Sequence, residues 1–235
     1  MTFNGLFMSP AWRLKQDHFL LTQDGYKDRL KHSRLSEFWF IQQAITGCQF
    51  DKALEFGAWD TDFWRMVQNQ VNHLEVTDSF GWATRECAKE MVDREEWIHH
   101  IIAAGHSCYP LDVQDLDKVE EYDLIYSVSV IEHVVDDRKA LKNIHRALRS
   151  GGKFVFTTEV NLYTALPYQP DVFFRVYSLS SILSKLDEAG FQLDGHTIPE
   201  DREFDEKMKT ASSFDLRQPY QSFAPMGFSV TKKDE

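Results

Sequence analysis

The sequence lacks the features that mark membrane-spanning or secreted chains. No apolar run approaches about 18 residues, and the N-terminus has neither the basic start nor the apolar stretch of a signal peptide. Cys48, Cys87 and Cys108 are odd in number and far apart, so neither a disulfide framework nor a zinc site is indicated. We therefore expect a soluble protein of the cytoplasm with reduced thiols and no bound metal.

Positive charge is also scarce. The chain has 26 Lys and Arg residues against 37 Asp and Glu residues, which gives a net charge of −11. Such a balance works against contacts with phosphates, so we expect no nucleic acid partner and favour a small-molecule or protein substrate. The oligomeric state is left open.

The 235 residues, of which 43% are hydrophobic, are enough for a substantial core. Residues 1–32 mix aromatic and charged side chains without a clear period. A helix near 34–46 is predicted by apolar residues at helical spacing, namely Leu35, Phe38, Ile41 and Ile45. We interpret residues 1–46 as an N-terminal arm and helix that serve as a lid or cover, and residues 47–235 as the main domain.

Beyond this helix, short apolar runs alternate with amphipathic stretches, as in a parallel sheet that is covered by helices. The predicted strands are 53–56, 73–77, 108–111, 122–126, 153–157, 191–193 and 227–231. The clearest helices lie near 140–148, after Asp136, and near 178–190, with Ser178 as the cap.

Three acidic residues follow successive predicted strands. Glu55 ends the first strand and opens onto Gly57, Asp78 ends the second, and Asp112 ends the third. In open α/β sheets, ligands bind beyond the carboxyl ends of the strands, and an acid about 20 residues after the first loop accepts hydrogen bonds from ribose hydroxyls. Asp112 is placed to accept from an adenine amino group. Each residue alone is more often a helix cap or a turn residue.

Two later segments resemble the class I S-adenosylmethionine-dependent methyltransferases. Residues 122–134, YDLIYSVSVIEHV, resemble the fourth strand of the branch that includes the ubiquinone-biosynthesis methyltransferases. Residues 147–155, ALRSGGKFV, resemble the helix, Gly-Gly turn and fifth strand of that family. The resemblance covers about residues 50–196. It implies an α/β fold, Rossmann-like and doubly wound, with a mostly parallel seven-stranded sheet and an antiparallel last strand.

The same resemblance implies methyl transfer from S-adenosylmethionine to a small-molecule acceptor such as a metabolite, a sugar or a lipid-like molecule. Glu55 and Gly57 match the start of the Glu-x-Gly-x-Gly loop near the methionine part of the cofactor, and Ser127 matches a residue near the same part. Asp78 matches the ribose-binding acid. The cofactor contacts implied in this way are Glu55, Gly57, Ala58, Trp59, Asp78, Ser79, Asp112, Val113 and Ser127.

The glycine loop departs from the family pattern at two positions. Trp59 stands where the second glycine is usual, and Thr61 where a third is often found. Glycine permits a positive φ and a close backbone approach to a ligand, which a tryptophan opposes. The alternative interpretation is therefore a non-catalytic, methyltransferase-like module for binding or assembly, although some branches of the superfamily resemble this chain in carrying a tryptophan there.

His133 is the candidate general base for a hydroxyl acceptor, because its place after the fourth strand puts it at the cofactor edge of the sheet. The alternative is that Glu132 and His133 only shape a turn. Glu159 and Asn161 are secondary candidates. The aromatic residues between 161 and 177 either wall an acceptor pocket or pack the N-terminal arm onto the sheet.

Overall fold

The computed structural model describes residues 6–8, 32–59, 61–81, 93–161, 163–171, 173–194 and 224–233. Its strands are β1 (Leu6–Met8), β2 (Phe50–Phe56), β3 (Val71–Asp78), β4 (Ser107–Pro110), β5 (Tyr122–Val128), β6 (Leu148–Asn161), β7 (Leu166–Gln169), β8 (Phe174–Ser178), β9 (Phe191–Leu193) and β10 (Ala224–Lys232). Its α-helices are α1 (His32–Ile45), α2 (Trp64–Val67), α3 (Arg94–Ala103), α4 (Asp137–Ala147) and α5 (Leu179–Glu188). Most of the predicted arm, and Cys87, lie outside the described residues.

The strands form one mixed sheet with the order β4-β3-β2-β5-β6-β10. The first five of these strands are parallel, and β10 runs antiparallel to β6. Strands β1 and β9 both pair with the other edge of β10, at different points along it. The sheet confirms the predicted Rossmann-like α/β fold with an antiparallel last strand.

Helices cover the sheet on both faces. Helices α4 and α5 pack in one apolar cluster and α1, α2 and α3 in another, so the sheet is doubly wound. The two helices of the first cluster begin where the sequence predicts, because Asp136 and Ser178 accept hydrogen bonds from the backbone N–H groups of Lys139 and Ser181. Among the described helices, none is long and apolar enough to cross a membrane.

The sequence pattern does not predict β1, β7 or β8. No strand is predicted between residues 161 and 177, whereas β7 and β8 pair antiparallel there and β8 also joins β6. Pro167 within β7 and the buried Arg175 within β8 break the alternation of apolar and polar residues by which short strands are detected.

Helix α1 lies directly against the sheet. Phe38, Ile41 and Ile45 are buried in the same apolar cluster as residues of β2, β5 and β6. A Cβ atom placed on Gly227 of β10 would lie 2.4 Å from Cδ1 of Phe40, so the helix comes close to the strand only because this residue has no side chain. A domain division at residue 46 stays a prediction, and the helix shares its core with the sheet.

We expect Gly227→Ala to destabilise the protein by about 1–3 kcal/mol, because the added methyl group overlaps the ring of Phe40 and overpacks the core. Urea denaturation followed by circular dichroism measures the change. Adding Phe40→Leu to the Gly227→Ala variant should recover part of the loss, which tests the contact itself. If Gly227→Ala alone were as stable as the wild type, α1 would be able to shift without loss of stability.

Candidate functional site

A cavity of about 480 Å³ opens at the carboxyl edge of the parallel strands. The loops after β2, β3, β4 and β5 line the cavity, together with the hairpin of β7 and β8. A second cavity, of about 530 Å³, lies at the opposite edge of the sheet among Glu120, Arg146 and Lys232. We place the candidate site at the first cavity, because ligands of open α/β sheets bind at the carboxyl ends of the strands.

The structure brings together six of the ten residues that the sequence singles out as cofactor contacts or general base. The lining of the cavity includes Gly57, Trp59, Asp78, Ser79, Asp112 and His133. The other four are not part of the described lining and belong to the buried or partly buried layer next to it: Glu55, Ala58, Val113 and Ser127. Their roles toward a cofactor stay predictions.

Gly57 brings the loop after β2 against the segment after β5. Its φ of +69° lies in the left-handed region, and a Cβ atom there would lie 2.4 Å from Cγ2 of Val130. Since both conformation and space require glycine, no other residue fits without moving one of the two segments.

Trp59 forms part of the cavity wall. Its backbone N–H donates a hydrogen bond of 3.0 Å to Oδ2 of Asp78, and its ring meets Phe80 edge-on with a centroid distance of 5.5 Å. Thr61 closes the turn of the loop, because both its backbone N–H and its hydroxyl donate to the carbonyl oxygen of Ala58, at 2.9 Å and 2.8 Å. The loop is therefore built around the two residues that depart from the glycine pattern.

Asp78 joins two loops at the carboxyl edge. Its Oδ1 accepts a hydrogen bond of 2.6 Å from the backbone N–H of Phe80, and its Oδ2 accepts the one from Trp59. Burial raises the pKa of Asp78, and these two hydrogen bonds together with the charge of Arg94 act against the rise. Each carboxylate oxygen has a further lone pair with which to accept a hydrogen bond from a ligand.

Asp112 caps a short 3₁₀ turn, Val113–Asp115, and its Oδ1 accepts a hydrogen bond of 2.9 Å from the backbone N–H of Gln114. The side-chain amide of Gln114 donates to both carboxylate oxygens, at 3.1 Å and 3.0 Å. Gln114 also lines the cavity, a role that sequence reasoning missed. A polar residue two positions after a strand-ending acid was the available signal.

Glu55 lies beneath the glycine loop and is almost completely buried. The hydroxyl of Tyr126 donates a hydrogen bond of 2.8 Å to its Oε2. Burial raises the pKa of Glu55 to about 8, with the hydrogen bond from Tyr126 acting in the other direction. This carboxyl group therefore carries a proton at neutral pH.

His133 ends a 3₁₀ turn, Ile131–His133, with its imidazole in the cavity lining. Its Nδ1 lies 2.7 Å from the carbonyl oxygen of Phe173. A carbonyl oxygen only accepts, so Nδ1 carries the proton and the lone pair of the neutral ring is on Nε2. Glu132 instead points into the core, where its Oε2 accepts a hydrogen bond of 2.8 Å from Thr158.

The secondary candidates and the aromatic segment divide between the core and the cavity. Neither Glu159 nor Asn161 is part of the described lining, and Asn161 accepts hydrogen bonds from the backbone N–H groups of Tyr163 and Thr164. Tyr168 and Phe173 line the cavity, whereas Tyr177 is buried in the core. Whether these residues wall an acceptor pocket or pack the N-terminal arm onto the sheet stays a prediction, because most of the arm lies outside the described residues.

Residues 64–156 match the sequence model of a methyltransferase domain family. A search of curated proteins finds no sequence that matches this chain.

Solved structures provide neighbours by fold. The [4+2]-cyclase SpnF is similar with a TM-score of 0.59 and 13% identity, over 87% of this chain and 82% of that one. An S-adenosylmethionine-dependent methyltransferase from Mesorhizobium loti is similar with a TM-score of 0.54 and 18% identity, over 83% and 97%. Phosphoethanolamine N-methyltransferase 2 of Haemonchus contortus, in complex with S-adenosyl-L-methionine, is similar with a TM-score of 0.56 and 16% identity, over 83% of this chain and 51% of that one.

At these identities the structural likeness concerns the fold alone. The domain match points to a methyltransferase domain within residues 64–156. The branch related to ubiquinone biosynthesis stays a prediction.

We expect Glu55 to make stability depend on pH. Because its pKa rises from the ordinary 4.5 to about 8 on folding, the stability it contributes is complete below pH 4.5 and is lost as pH rises through 8. Glu55→Gln has no titrating carboxyl group and should show a flatter decline over this range in urea denaturation. If the variant declines as steeply as the wild type, Glu55 is not the group responsible.

Proposed function

We propose that this chain transfers a methyl group from S-adenosylmethionine to a small-molecule acceptor. The observation that carries the proposal is the convergence of Gly57, Asp78 and Asp112 on one cavity, in strand order along the carboxyl edge. The methyltransferase domain match over residues 64–156 supports the same function.

The residues of the cavity fit S-adenosylmethionine in their chemistry. Gly57 lets the loop backbone come close to the segment after β5 at the cavity wall. Asp78 offers carboxylate oxygens to ribose hydroxyls, and Asp112 offers an acceptor to an adenine amino group. When bound, the cofactor supplies an electrophilic methyl group on a sulfonium.

The remaining lining residues would hold the acceptor. Val134, Val135, Tyr168 and Phe173 give this side of the cavity an apolar wall, which favours an acceptor with an apolar body and excludes water from it. Alignment of acceptor and cofactor in such a site contributes about 7–11 kcal/mol to lowering the barrier. For a hydroxyl acceptor, Nε2 of His133 would take up the proton as the new bond forms.

A second candidate is a non-catalytic module for binding or assembly. The observation that favours it is the replacement of the usual loop glycines by Trp59 and Thr61. Trp59 lies in the cavity wall against Phe80, so its indole borders the space that the cofactor would use. The two candidates differ in whether S-adenosylmethionine binds.

Calorimetric titration with S-adenosylmethionine tests the proposal directly, and we expect saturable binding by the wild type. Asp78→Asn should weaken it by about 1–3 kcal/mol, because it loses an acceptor oxygen for charge-assisted hydrogen bonds. Thermal unfolding of the variant, without ligand, controls for damage to the loops. Absence of binding by a folded wild-type protein would favour the module.

A screen of small acceptors with methyl-labelled cofactor would identify substrates, and it also tests His133. With a hydroxyl acceptor, we expect His133→Asn to lower kcat by about 10²–10⁴-fold through loss of a general base. With an amine acceptor, which already presents a lone pair when neutral, the loss should be much smaller. Equal losses with both acceptors would assign His133 to the shape of the cavity.

A further inference from the structure

Helix α1 carries a buried carboxylate to the edge of the cavity. Glu37 is only 3% exposed. Its Oε2 accepts hydrogen bonds from the hydroxyls of Ser129 and Thr157, both at 2.5 Å. Ser129 lines the cavity, so one hydroxyl group separates the carboxylate from the cavity.

The hydrogen bonds fix where the hydroxyl protons lie. Since one carboxylate oxygen accepts from both groups, Ser129 and Thr157 direct their protons at Glu37. The Oγ1 of Thr157 in turn accepts a hydrogen bond of 3.0 Å from the backbone N–H of Ser129. Because the hydroxyl proton of Ser129 is donated to Glu37, its Oγ can only accept hydrogen bonds from a group in the cavity.

The backbone at Ser129 supports the same arrangement. Its φ of +49° lies in the left-handed region, which residues other than glycine seldom adopt. The backbone N–H of Ser129 also donates a hydrogen bond of 3.1 Å to the carbonyl oxygen of Thr157. Contacts from β6 and α1 thus hold this residue in an unusual conformation, as is common at functional sites.

We propose that Glu37 is a positioning residue that acts through Ser129 to favour a positively charged group in the cavity, so that the site distinguishes a sulfonium from a thioether. The inference rests on the proposed function. S-adenosylmethionine and its product S-adenosylhomocysteine differ by one methyl group and one positive charge at sulfur. The hydrogen bonds proposed for Asp78 and Asp112 are to parts that both molecules share, so those hydrogen bonds do not distinguish the two ligands. A site of this kind holds the cofactor more strongly and releases the spent product.

Calorimetric titration of wild type and Glu37→Gln with both ligands tests the proposal. Glutamine keeps a carbonyl oxygen for the two hydroxyls and removes the charge. We expect the Kd for S-adenosylmethionine to rise about tenfold, while the Kd for S-adenosylhomocysteine changes less than about twofold. Ser129→Ala removes the oxygen at the cavity and should change the two affinities in the same unequal way.

Glu75→Gln is the control away from the cavity, and it differs from Glu37→Gln in also breaking an ion pair with Lys52. Oε2 of Glu75 also accepts two hydroxyl groups, those of Tyr109 at 2.5 Å and Tyr122 at 2.7 Å, and none of these three residues lines the cavity. This variant should leave the ratio of the two affinities at its wild-type value.

The outcomes separate the inference from the proposed function. Equal losses for both ligands in Glu37→Gln, or equal or absent losses in Ser129→Ala, would assign Glu37 a purely structural role and leave the proposed function standing. If Glu37→Gln fails to fold, Ser129→Ala alone decides. A folded wild type that binds neither ligand would overturn the proposed function and this inference together.

Discussion

The loop after β2 and the segment after β5 lie so close that not even one extra carbon atom fits between Gly57 and Val130. The parallel pairing of β2 with β5 sets this distance, because it brings the carboxyl ends of both strands to the same level. This contact sets the relative position of the two segments, and both of them line the cavity. The loop that contains Gly57 lies on one side of the contact, and Val130 lies between Ser129 and His133 in the segment on the other side.

Buried acids are the second property of this edge of the sheet. Glu37, Glu55, Asp78 and Glu132 are all buried there, and each accepts hydrogen bonds from hydroxyl or backbone donors. Burying carboxyl groups costs stability unless donors compensate, and the raised pKa of Glu55 shows that compensation is incomplete at that position. The edge is thus less stable than an apolar one would be, as is usual where a site must bind polar ligands.

The sequence predicts the fold well where the pattern is local. The strands of the central sheet, helix α1 and helices α4 and α5 are all predicted from apolar periodicity and caps. Asp78, at the end of a strand, and Asp112 and His133, shortly after strands, follow from these predictions. Contacts between distant segments cannot be predicted in this way, because periodicity concerns only residues that are close in sequence. Glu37 and Ser129 are 92 positions apart, and their hydrogen bond becomes visible only when α1 is packed on the sheet.

Ser127 and Ser129 illustrate the same limit on a smaller scale. Both serines stand in the segment that resembles the family motif, and sequence reasoning favours Ser127. The strand ends at Val128, however, and the left-handed φ of Ser129 turns the chain into the cavity, whereas Ser127 stays inside the sheet. A single backbone angle decides which of the two serines lines the cavity, and residue type alone does not determine that angle.

Pro110 at the end of β4 has a consequence for the behaviour of the folded protein in solution. The backbone N–H of Leu111 donates to the carbonyl oxygen of Asp78 in β3, so the nitrogen of Pro110 faces away from β3, and proline has no hydrogen there to donate. At the far side, β1 and β9 already occupy β10. Within the part of the chain that the structure describes, a strand from another molecule therefore meets a missing donor at one margin and edge strands of only three residues at the other, and both features disfavour growth of the sheet into aggregates.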